Sequence, residues 1–137
     1  MKTNNLQLIK NSGLKTTLAR VKILEVLQQV SQPVDVLEVR EFLQKRNLQV
    51  NLTTIYRCLE SFLKAGIVTR VEFQEGKYRY ELSQLKHHHH LVCKNCGKVE
   101  DVDDCSVEDL EKNLMKKSGF LIKTHSLEFY GRCKNCH

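Results

Sequence analysis

Apolar residues recur at helical spacing three times in the first half of the chain. The segment TTLARVKILEVLQQV begins with Thr16 and Thr17, either of which can cap a helix. Its apolar stripe is formed by Leu18, Val21, Leu24, Leu27 and Val30. After Pro33, the only proline, DVLEVREFLQKR places Asp35 and Glu38 in capping-box spacing. Its apolar residues recur at Leu37, Phe42 and Leu43. The pattern predicts two short helices that are separated at the proline.

A third helix is predicted to begin after Asn51. Its buried stripe consists of Leu52, Ile55, Leu59, Phe62 and Leu63. The opposite face presents Thr54, Arg57, Ser61 and Lys64, with Tyr56 at its flank. After Gly66 the period changes to two, since VTRVEF and KYRYEL alternate around a polar QEGK turn and so predict a β-hairpin. Three short helices and a hairpin form a winged helix-turn-helix, whose third helix enters the major groove of DNA.

The net charge of +6 is unevenly distributed along the chain. Residues 1–86 contain 14 lysines and arginines against 8 aspartates and glutamates, whereas residues 87–137 contain 8 of each. The excess of positive charge therefore lies on the predicted winged helix, where it favours nucleic acid as a partner, with a double-stranded DNA operator as the expected form. A basic surface that serves only solubility would have the same composition and is the alternative.

Two Cys-x-x-Cys pairs lie in the second half of the chain. They are Cys93 with Cys96 and Cys133 with Cys136. No apolar stretch approaches the roughly 20 residues of a membrane span, and the N-terminus lacks the apolar run of a signal peptide, so we expect a cytoplasmic protein with no membrane partner. In that compartment such pairs more often hold a metal than form disulfides. Four thiolates can enclose Zn²⁺ in a tetrahedral structural site, and such a site would stabilise a short C-terminal domain.

Other uses of these cysteines remain open. An iron or iron–sulfur centre needs the same four thiolates. The final CKNCH also matches a haem-attachment string, although that chemistry usually follows export. The remaining cysteines, Cys58 and Cys105, are expected to be ordinary unpaired side chains.

Four consecutive histidines, residues 87–90, precede the first cysteine pair. On a β-strand His87 and His89 would point to one face and His88 and His90 to the other, so one strand would supply two separate imidazole pairs. Candidate partners are Glu81, Asp101, His125 and Glu108, the last in the first turn of a helix that Ser106 is predicted to cap. Mixed histidine and carboxylate ligands suit Fe²⁺, Mn²⁺ or Zn²⁺. Solvated histidines with adventitious metal affinity are the alternative.

Motifs from about residue 10 to residue 136 resemble the ferric uptake regulator (Fur) superfamily of dimeric, metal-dependent bacterial transcription regulators. They are GLKTTLARVKILEVL, NLTTIYRCLESFLKAGIV, YRYEL, HHHHLVCKNCGKV, HSLEFYGRC and the final CKNC. The combination of TTIYR with HHHHLVC is highly specific. The resemblance implies an α+β protein with a winged-helix DNA-binding domain over residues 1–83. A small α/β dimerisation domain with structural zinc would occupy residues 84–137.

The resemblance also implies roles for individual residues. Contacts with DNA would come from Lys15, Arg20, Thr54, Tyr56 and Arg57, with Tyr56 and Arg57 near the bases, Lys15 near the minor groove and Arg20 near the backbone. The structural zinc would be held by Cys93, Cys96, Cys133 and Cys136. The regulatory metal would be held by Glu81, His88, His90 and Asp101. A second site would use His87, His89, Glu108 and His125.

The chain departs from the family pattern near its metal ligands. Many members carry a further ligand histidine where this chain has Gln32 and Pro33. His89 replaces an aspartate that is common in iron-responsive members, which shifts the preference slightly toward zinc or another borderline metal. No cysteine lies near Glu81 in the sequence, where the zinc-uptake branch would be expected to have one. The iron-type branch is therefore favoured.

We expect a repressor of metal-uptake genes that binds palindromic operators as a homodimer when its regulatory site holds Fe²⁺, or alternatively Zn²⁺ or Mn²⁺. A zinc- or manganese-responsive regulator or a peroxide sensor of the same superfamily is an alternative, and a metal-storage or electron-transfer protein is a more distant one. A metal-dependent enzyme would need an open metal position and a general base. The sequence contains no catalytic string such as H-E-x-x-H, so no catalytic residue and no small organic substrate are expected.

Overall fold

The structure is a computed structural model that describes residues 4–83, 87–103 and 105–137. The chain divides into two compact units, Met1–Gln84 and Leu85–His137. The domain boundary that the sequence predicts, between residues 83 and 84, adjoins residues 84–86, which lie outside the described residues. Each unit has its own secondary structure, and together they contain helices and two small sheets, which confirms the predicted α+β class.

The described part of the first unit begins with four helices. These are α1 (Asn5–Asn11), α2 (Leu18–Gln29), α3 (Val36–Lys45) and α4 (Leu52–Lys64). Three of them begin at the predicted caps: the side chain of Thr17 accepts a hydrogen bond from the backbone of α2, and Asn51 does the same for α4. Asp35 and Glu38 form a reciprocal capping box at α3, with hydrogen bonds of 2.8 and 3.2 Å. These local signals fix where each helix starts.

The first helix was not predicted from the sequence. Asn4 caps α1 by accepting hydrogen bonds from two backbone N–H groups, and Ile9 is completely buried in the core of this unit. A helix of seven residues is marginal alone, so its stability depends on that tertiary contact.

The buried stripes of α2 and α3 differ in part from the predicted ones. Leu18 and Leu37 belong to the apolar patterns of these helices but are 62% and 52% exposed, and each lies in the first turn of its helix. The buried positions of these two helices are Ile23, Leu24, Val26, Leu27, Val36, Val39 and Leu43. In α4 the prediction holds better, since Ile55, Leu59 and Phe62 are fully buried.

The hairpin consists of β1 (Val68–Glu72) and β2 (Tyr78–Leu82), paired antiparallel with Val68 opposite Leu82. The polar turn lies where the sequence predicts it, and Gly76 adopts a left-handed conformation with φ of 75°. Val34 adds an isolated antiparallel bridge to Tyr80, through two backbone hydrogen bonds of 3.1 and 2.7 Å. Three core helices and a wing of this kind form a winged helix-turn-helix.

The second unit contains a three-stranded sheet and one helix in its described residues. The strands are β3 (His89–Cys93), β4 (Val99–Val102) and β5 (Glu128–Gly131), and the helix is α5 (Glu108–Ser118). The sheet order is β4-β3-β5, with β3 antiparallel to β4 and parallel to β5. Parallel strands such as β3 and β5 need a crossover connection. Here the chain makes that connection through β4 and α5.

The predicted cap of α5 is wrong. The residue before the helix is Val107, and no side-chain hydrogen bond caps this end, so Ser106 does not act as the N-cap. Three acidic residues in the first turn, including Glu108, interact favourably with the helix dipole instead. No helix among the described residues is both long enough and apolar enough to cross a membrane.

Candidate metal centres and nucleic-acid interface

The two cysteine pairs come together in the second unit. Cys93 ends β3, Cys96 lies in the turn that follows, and Cys133 and Cys136 follow β5. Because β3 and β5 are parallel neighbours, their C-termini lie at the same end of the sheet, and the two cysteine pairs meet there. The four Sγ atoms all lie within 4.8 Å of one another.

The four thiols fit a tetrahedral zinc ion. With Zn–S bonds of about 2.3 Å, neighbouring sulfurs of a tetrahedron are separated by about 3.8 Å. Cys96 Sγ and Cys133 Sγ are 3.7 Å apart. Cys93 Sγ accepts hydrogen bonds from the backbone N–H groups of Cys96 (3.4 Å) and Cys133 (3.3 Å). These two hydrogen bonds are the main reason that the pKa of Cys93 is lowered to about 5, so this sulfur is poised as a thiolate ligand.

The histidine run sorts into the two predicted pairs. The rings of His88 and His90 have centroids 4.8 Å apart, and those of His87 and His89 are 4.7 Å apart. His90 Nε2 lies 3.8 Å from Asp101 Oδ1, because these two residues face each other across β3 and β4. His90 thus lies next to two of the other predicted regulatory ligands, His88 and Asp101. The fourth, Glu81, lies on β2 in the first unit.

The second predicted site is partly different in the structure. His87, His89 and His125 gather as predicted, but the fourth member of the group is Cys105, with all four ligand atoms within 4.8 Å of one another. Cys105 Sγ is 3.2 Å from both His89 Nε2 and His125 Nε2, and those two nitrogens are also 3.2 Å apart. Cys105 was expected to be an ordinary unpaired cysteine; it forms no disulfide, but its sulfur lies between two imidazole nitrogens, where it could act as a ligand.

The carboxylate next to this cluster comes from Glu111 and not from Glu108. Glu111 Oε1 lies 2.5 Å from His125 Nδ1, on the side of the ring away from the cluster. Glu108 is not a member of the gathered ligands. Both residues lie on α5 three positions apart, so the sequence pointed to the correct helix but could not determine which of its acidic residues approaches His125.

His89 is the most enclosed member of this cluster, with 3% of its surface exposed. Burial lowers the pKa of His89, and the neighbouring imidazoles of His87 and His125 lower it further. The ring is therefore held in the neutral form, which is the form that binds metals.

Four of the five predicted DNA-contacting residues line one cleft in the first unit. Five of the six side chains that line this cleft are polar or charged: Lys15, Thr17, Arg20, Thr54 and Arg57. The cleft has a volume of about 270 Å³. Tyr56 is 53% exposed on α4, next to Arg57. The start of α2 and the first turns of α4 thus present a basic surface with an exposed aromatic ring.

Arg20 and Cys58 are two of the residues that line this cleft. Arg20 Nη1 donates a 2.6 Å hydrogen bond to the backbone carbonyl of Lys15, which fixes the segment before α2. Cys58, the sixth lining residue, is only 6% exposed and belongs to the hydrophobic core, where burial raises the pKa of its thiol. Cys58 is therefore an ordinary unpaired cysteine, as expected, and it is buried in the core.

Comparison with known proteins agrees with this arrangement. The family model described as "Ferric uptake regulator family" matches residues 11–130. The ferric uptake regulation protein of Yersinia pestis is 43% identical over 137 residues, covering 98% of this chain and 93% of that protein. The crystal structure of the Vibrio cholerae ferric uptake regulator has a TM-score of 0.86 and 44% identity, covering 95% of this chain and all of that one.

A third relative was solved with a metal. The structure of the ferric uptake regulator from Francisella tularensis with iron has a TM-score of 0.82 and 30% identity, and it covers 90% of this chain and 95% of that one. The family model spans most of the chain, and the relatives match along nearly their whole length. Members of this family are transcription regulators and not enzymes, and the metal-binding clusters described above agree with that class. The chain belongs to the ferric uptake regulator family of metal-responsive transcription regulators.

Proposed function

We propose that this regulator is an iron-type repressor of metal-uptake genes that binds a palindromic DNA operator as a homodimer when its regulatory site is loaded. Fe²⁺ is the proposed regulatory metal, since a relative with 30% identity was solved with iron, and Zn²⁺ and Mn²⁺ are the alternatives. A regulator that acts on DNA in this way works in the cytoplasm.

The observation that carries the proposal is the cleft between the start of α2 and α4. It is lined by three basic side chains, those of Lys15, Arg20 and Arg57. Arg57 and Tyr56 are exposed on α4, which is the helix that enters the major groove in a winged helix. Basic residues at the start of α2 would contact phosphates and so set the position of the helix, while Arg57 would contact base edges.

For the regulatory site we propose the ligands Glu81, His88, His90 and Asp101. A bound divalent cation supplies the positive charge that holds such neutral and anionic side chains in one arrangement. Glu81 belongs to the winged helix, whereas the two histidines and Asp101 belong to the second unit. A ligand set of this composition would couple metal loading to the position of the DNA-reading helix. The structural zinc is proposed at Cys93, Cys96, Cys133 and Cys136.

The second unit has the apolar surface that a homodimer would bury. Leu110 and Leu114 lie one turn apart on α5, and no residue of this helix is buried in the described chain. Phe120 and Leu121, just after the helix, are 74% and 78% exposed. An exposed apolar surface of this kind marks a protein interface, and a second copy of the chain is the proposed partner.

The test of DNA reading compares two single substitutions that remove the same charge. A duplex is first selected by the metal-loaded protein from a random library, and its binding is then measured over a range of salt concentrations. Arg57→Ala should weaken binding and relax sequence preference by about 1–3 kcal/mol per lost base contact. Lys45→Ala, at the end of α3 and outside the cleft, should leave the preference unchanged. If the two variants had the same duplex affinity and the same sequence preference, α4 would not be the helix that contacts the bases.

A further inference from the structure

We propose that Cys105 is a thiolate ligand of a second metal site, a tetrahedral centre formed with His87, His89 and His125, that takes Zn²⁺ in preference to Mn²⁺ and Fe²⁺. All four residues belong to the second unit. The inference goes beyond the proposed function and would stand even if the first unit bound no DNA.

The separations in this cluster are those of neighbouring ligands around one ion. With Zn–N bonds of about 2.0–2.1 Å, two nitrogens of a tetrahedron are about 3.3 Å apart, and a nitrogen and a sulfur are about 3.6 Å apart. His89 Nε2, His125 Nε2 and Cys105 Sγ form a triangle whose three sides are each 3.2 Å. The structure thus holds three donor atoms within a few tenths of an ångström of these spacings, and the fourth, from His87, is within 4.8 Å of each.

The carboxylate of Glu111 determines the tautomer of His125, and so which ring nitrogen offers a lone pair to the cluster. Its Oε1 is 2.5 Å from Nδ1, so the ring proton resides on Nδ1 and is donated to the carboxylate. The Nε2 atom, which faces Cys105 and His89, is then an acceptor only. A carboxylate that orients a histidine from behind is a common feature of zinc centres. Glu111 is therefore a positioning residue and not a ligand.

The donor set determines the metal preference. Three imidazoles and a thiolate are soft or borderline ligands that suit Zn²⁺. A glutamate in place of the sulfur, as the sequence predicts with Glu108, would make a harder site that accepts Mn²⁺ and Fe²⁺ more readily. Four protein ligands also leave no open position, as in closed zinc sites. The chain would therefore have one site for the regulatory metal and another that is selective for zinc.

Cobalt provides a direct test, because a thiolate bound to Co²⁺ gives a near-ultraviolet charge-transfer band that imidazole and carboxylate ligands do not give. The full chain is prepared with zinc retained in the four-cysteine site and with the other sites emptied by a mild chelator. It is then titrated with Co²⁺. Since Cys58 is buried in the core of the first unit, a new thiolate band can come only from Cys105. Zinc affinity is measured in parallel by competition with a chromophoric chelator.

Four variants give distinct expectations. Cys105→Ser should lose the band and bind zinc at least about tenfold more weakly, and Cys105→Asp should lose the band and lower the ratio of zinc to manganese affinity. Glu108→Gln should keep both the band and the affinity. Glu111→Gln should keep the band and bind zinc about 10–100-fold more weakly, as expected for loss of an orienting carboxylate. Thermal melting of the zinc-retaining variants checks that each is folded.

Two results would overturn the assignment. One is a Cys105→Ser protein that retains the cobalt band and the zinc affinity of the parent chain. The other is loss of the band in Glu108→Gln. As an independent readout, alkylation mapped by mass spectrometry should show Cys105 protected by zinc in the parent chain and reactive in His125→Ala, and equal reactivity in both would also contradict the proposal.

Discussion

Arg79 is the buried charge around which the base of the wing is organised. Its side chain is 8% exposed, and it donates hydrogen bonds to both carboxylate oxygens of Glu75, at 2.9 and 2.7 Å. It also donates to Glu38 at 3.4 Å and to the backbone carbonyl of Pro33 at 3.2 Å. The segment that contains Pro33 is therefore tied to the wing by Arg79.

The ion pair between Glu75 and Arg79 should give the winged helix a pH-dependent stability. The hydrogen bond from Arg79 is the main reason that the pKa of Glu75 is lowered in the folded chain. A carboxylate with a lowered pKa stabilises the fold above its unfolded pKa, near 4.3, and this contribution is lost as the pH falls through the lower folded value. Glu75→Gln should therefore reduce the free energy of unfolding by about 1–2 kcal/mol at pH 7 and by less in acid.

Urea unfolding of the parent chain and of Glu75→Gln at a series of pH values measures this difference. Loss of metal from the second unit in acid affects both proteins and cancels in the comparison. A difference in unfolding free energy that stays constant from pH 7 to below the pKa of Glu75 would show that the pair does not titrate with folding.

Individual metal ligands were predictable to the extent that strand geometry fixes them. The alternation of side chains along an extended segment was enough to pair His88 with His90 and His87 with His89. Ligands that approach from loops could not be predicted, because a loop has no fixed period. On α5, the sequence did not determine which acidic residue lies near His125. Cys105 lies in such a loop between β4 and α5. The sequence places Cys105 four residues after Asp101, close to a predicted metal site. A thiol is a soft metal ligand, and its proximity to a histidine cluster could have identified Cys105 as a candidate.

Helix boundaries in the first unit are set by local side-chain hydrogen bonds. Asn51 accepts a 2.9 Å hydrogen bond from the backbone N–H of Thr54 and so begins the helix that would read DNA. Asn51→Ala should lower the free energy of unfolding by about 0.5–2 kcal/mol, whereas Asn51→Asp should preserve the cap. Thermal and urea unfolding of both variants measure the effect. An equal loss of unfolding free energy in the two variants would show that the side-chain cap does not stabilise the helix.

The elements that the sequence predicted best are those whose ends have such caps. Thr17, Asp35 and Asn51 each accept the predicted hydrogen bond, and the hairpin follows its period of two. The elements that were missed depend on contacts distant in sequence. The short helix α1 is stabilised by burial of Ile9, and α5 begins without a side-chain cap.

At the scale of the whole molecule, the proposed homodimer requires the apolar surface of the second unit. Leu114→Lys places a charge on the exposed face of α5 and should shift the protein toward monomer in sedimentation experiments. Leu37→Lys is a matched control, because Leu37 is comparably exposed but lies on α3 in the first unit. Retention of the dimer by Leu114→Lys, or its loss in Leu37→Lys, would place the interface elsewhere.

The chain divides into a basic first unit and a second unit that contains metal-ligand clusters, and the proposed coupling between them is the main function to be tested. Each unit contains residues that this coupling would use. The first has the basic cleft beside α4, and the second has His90, which lies next to His88 and 3.8 Å from Asp101. A metal changes DNA binding only through a difference in its affinity for the two states of the protein. Coupling free energies of this kind are typically about 1–3 kcal/mol.

The most direct measurement is the affinity of the selected operator duplex at one fixed salt concentration, without oxygen, with the four-cysteine zinc retained throughout. The regulatory site is either emptied or loaded with Fe²⁺, Mn²⁺ or Zn²⁺. We predict that loading tightens binding by about 5–150-fold. His90→Ala should abolish that difference while leaving the weak binding of the emptied protein unchanged. Operator affinity that is the same in the emptied and loaded proteins would contradict the account.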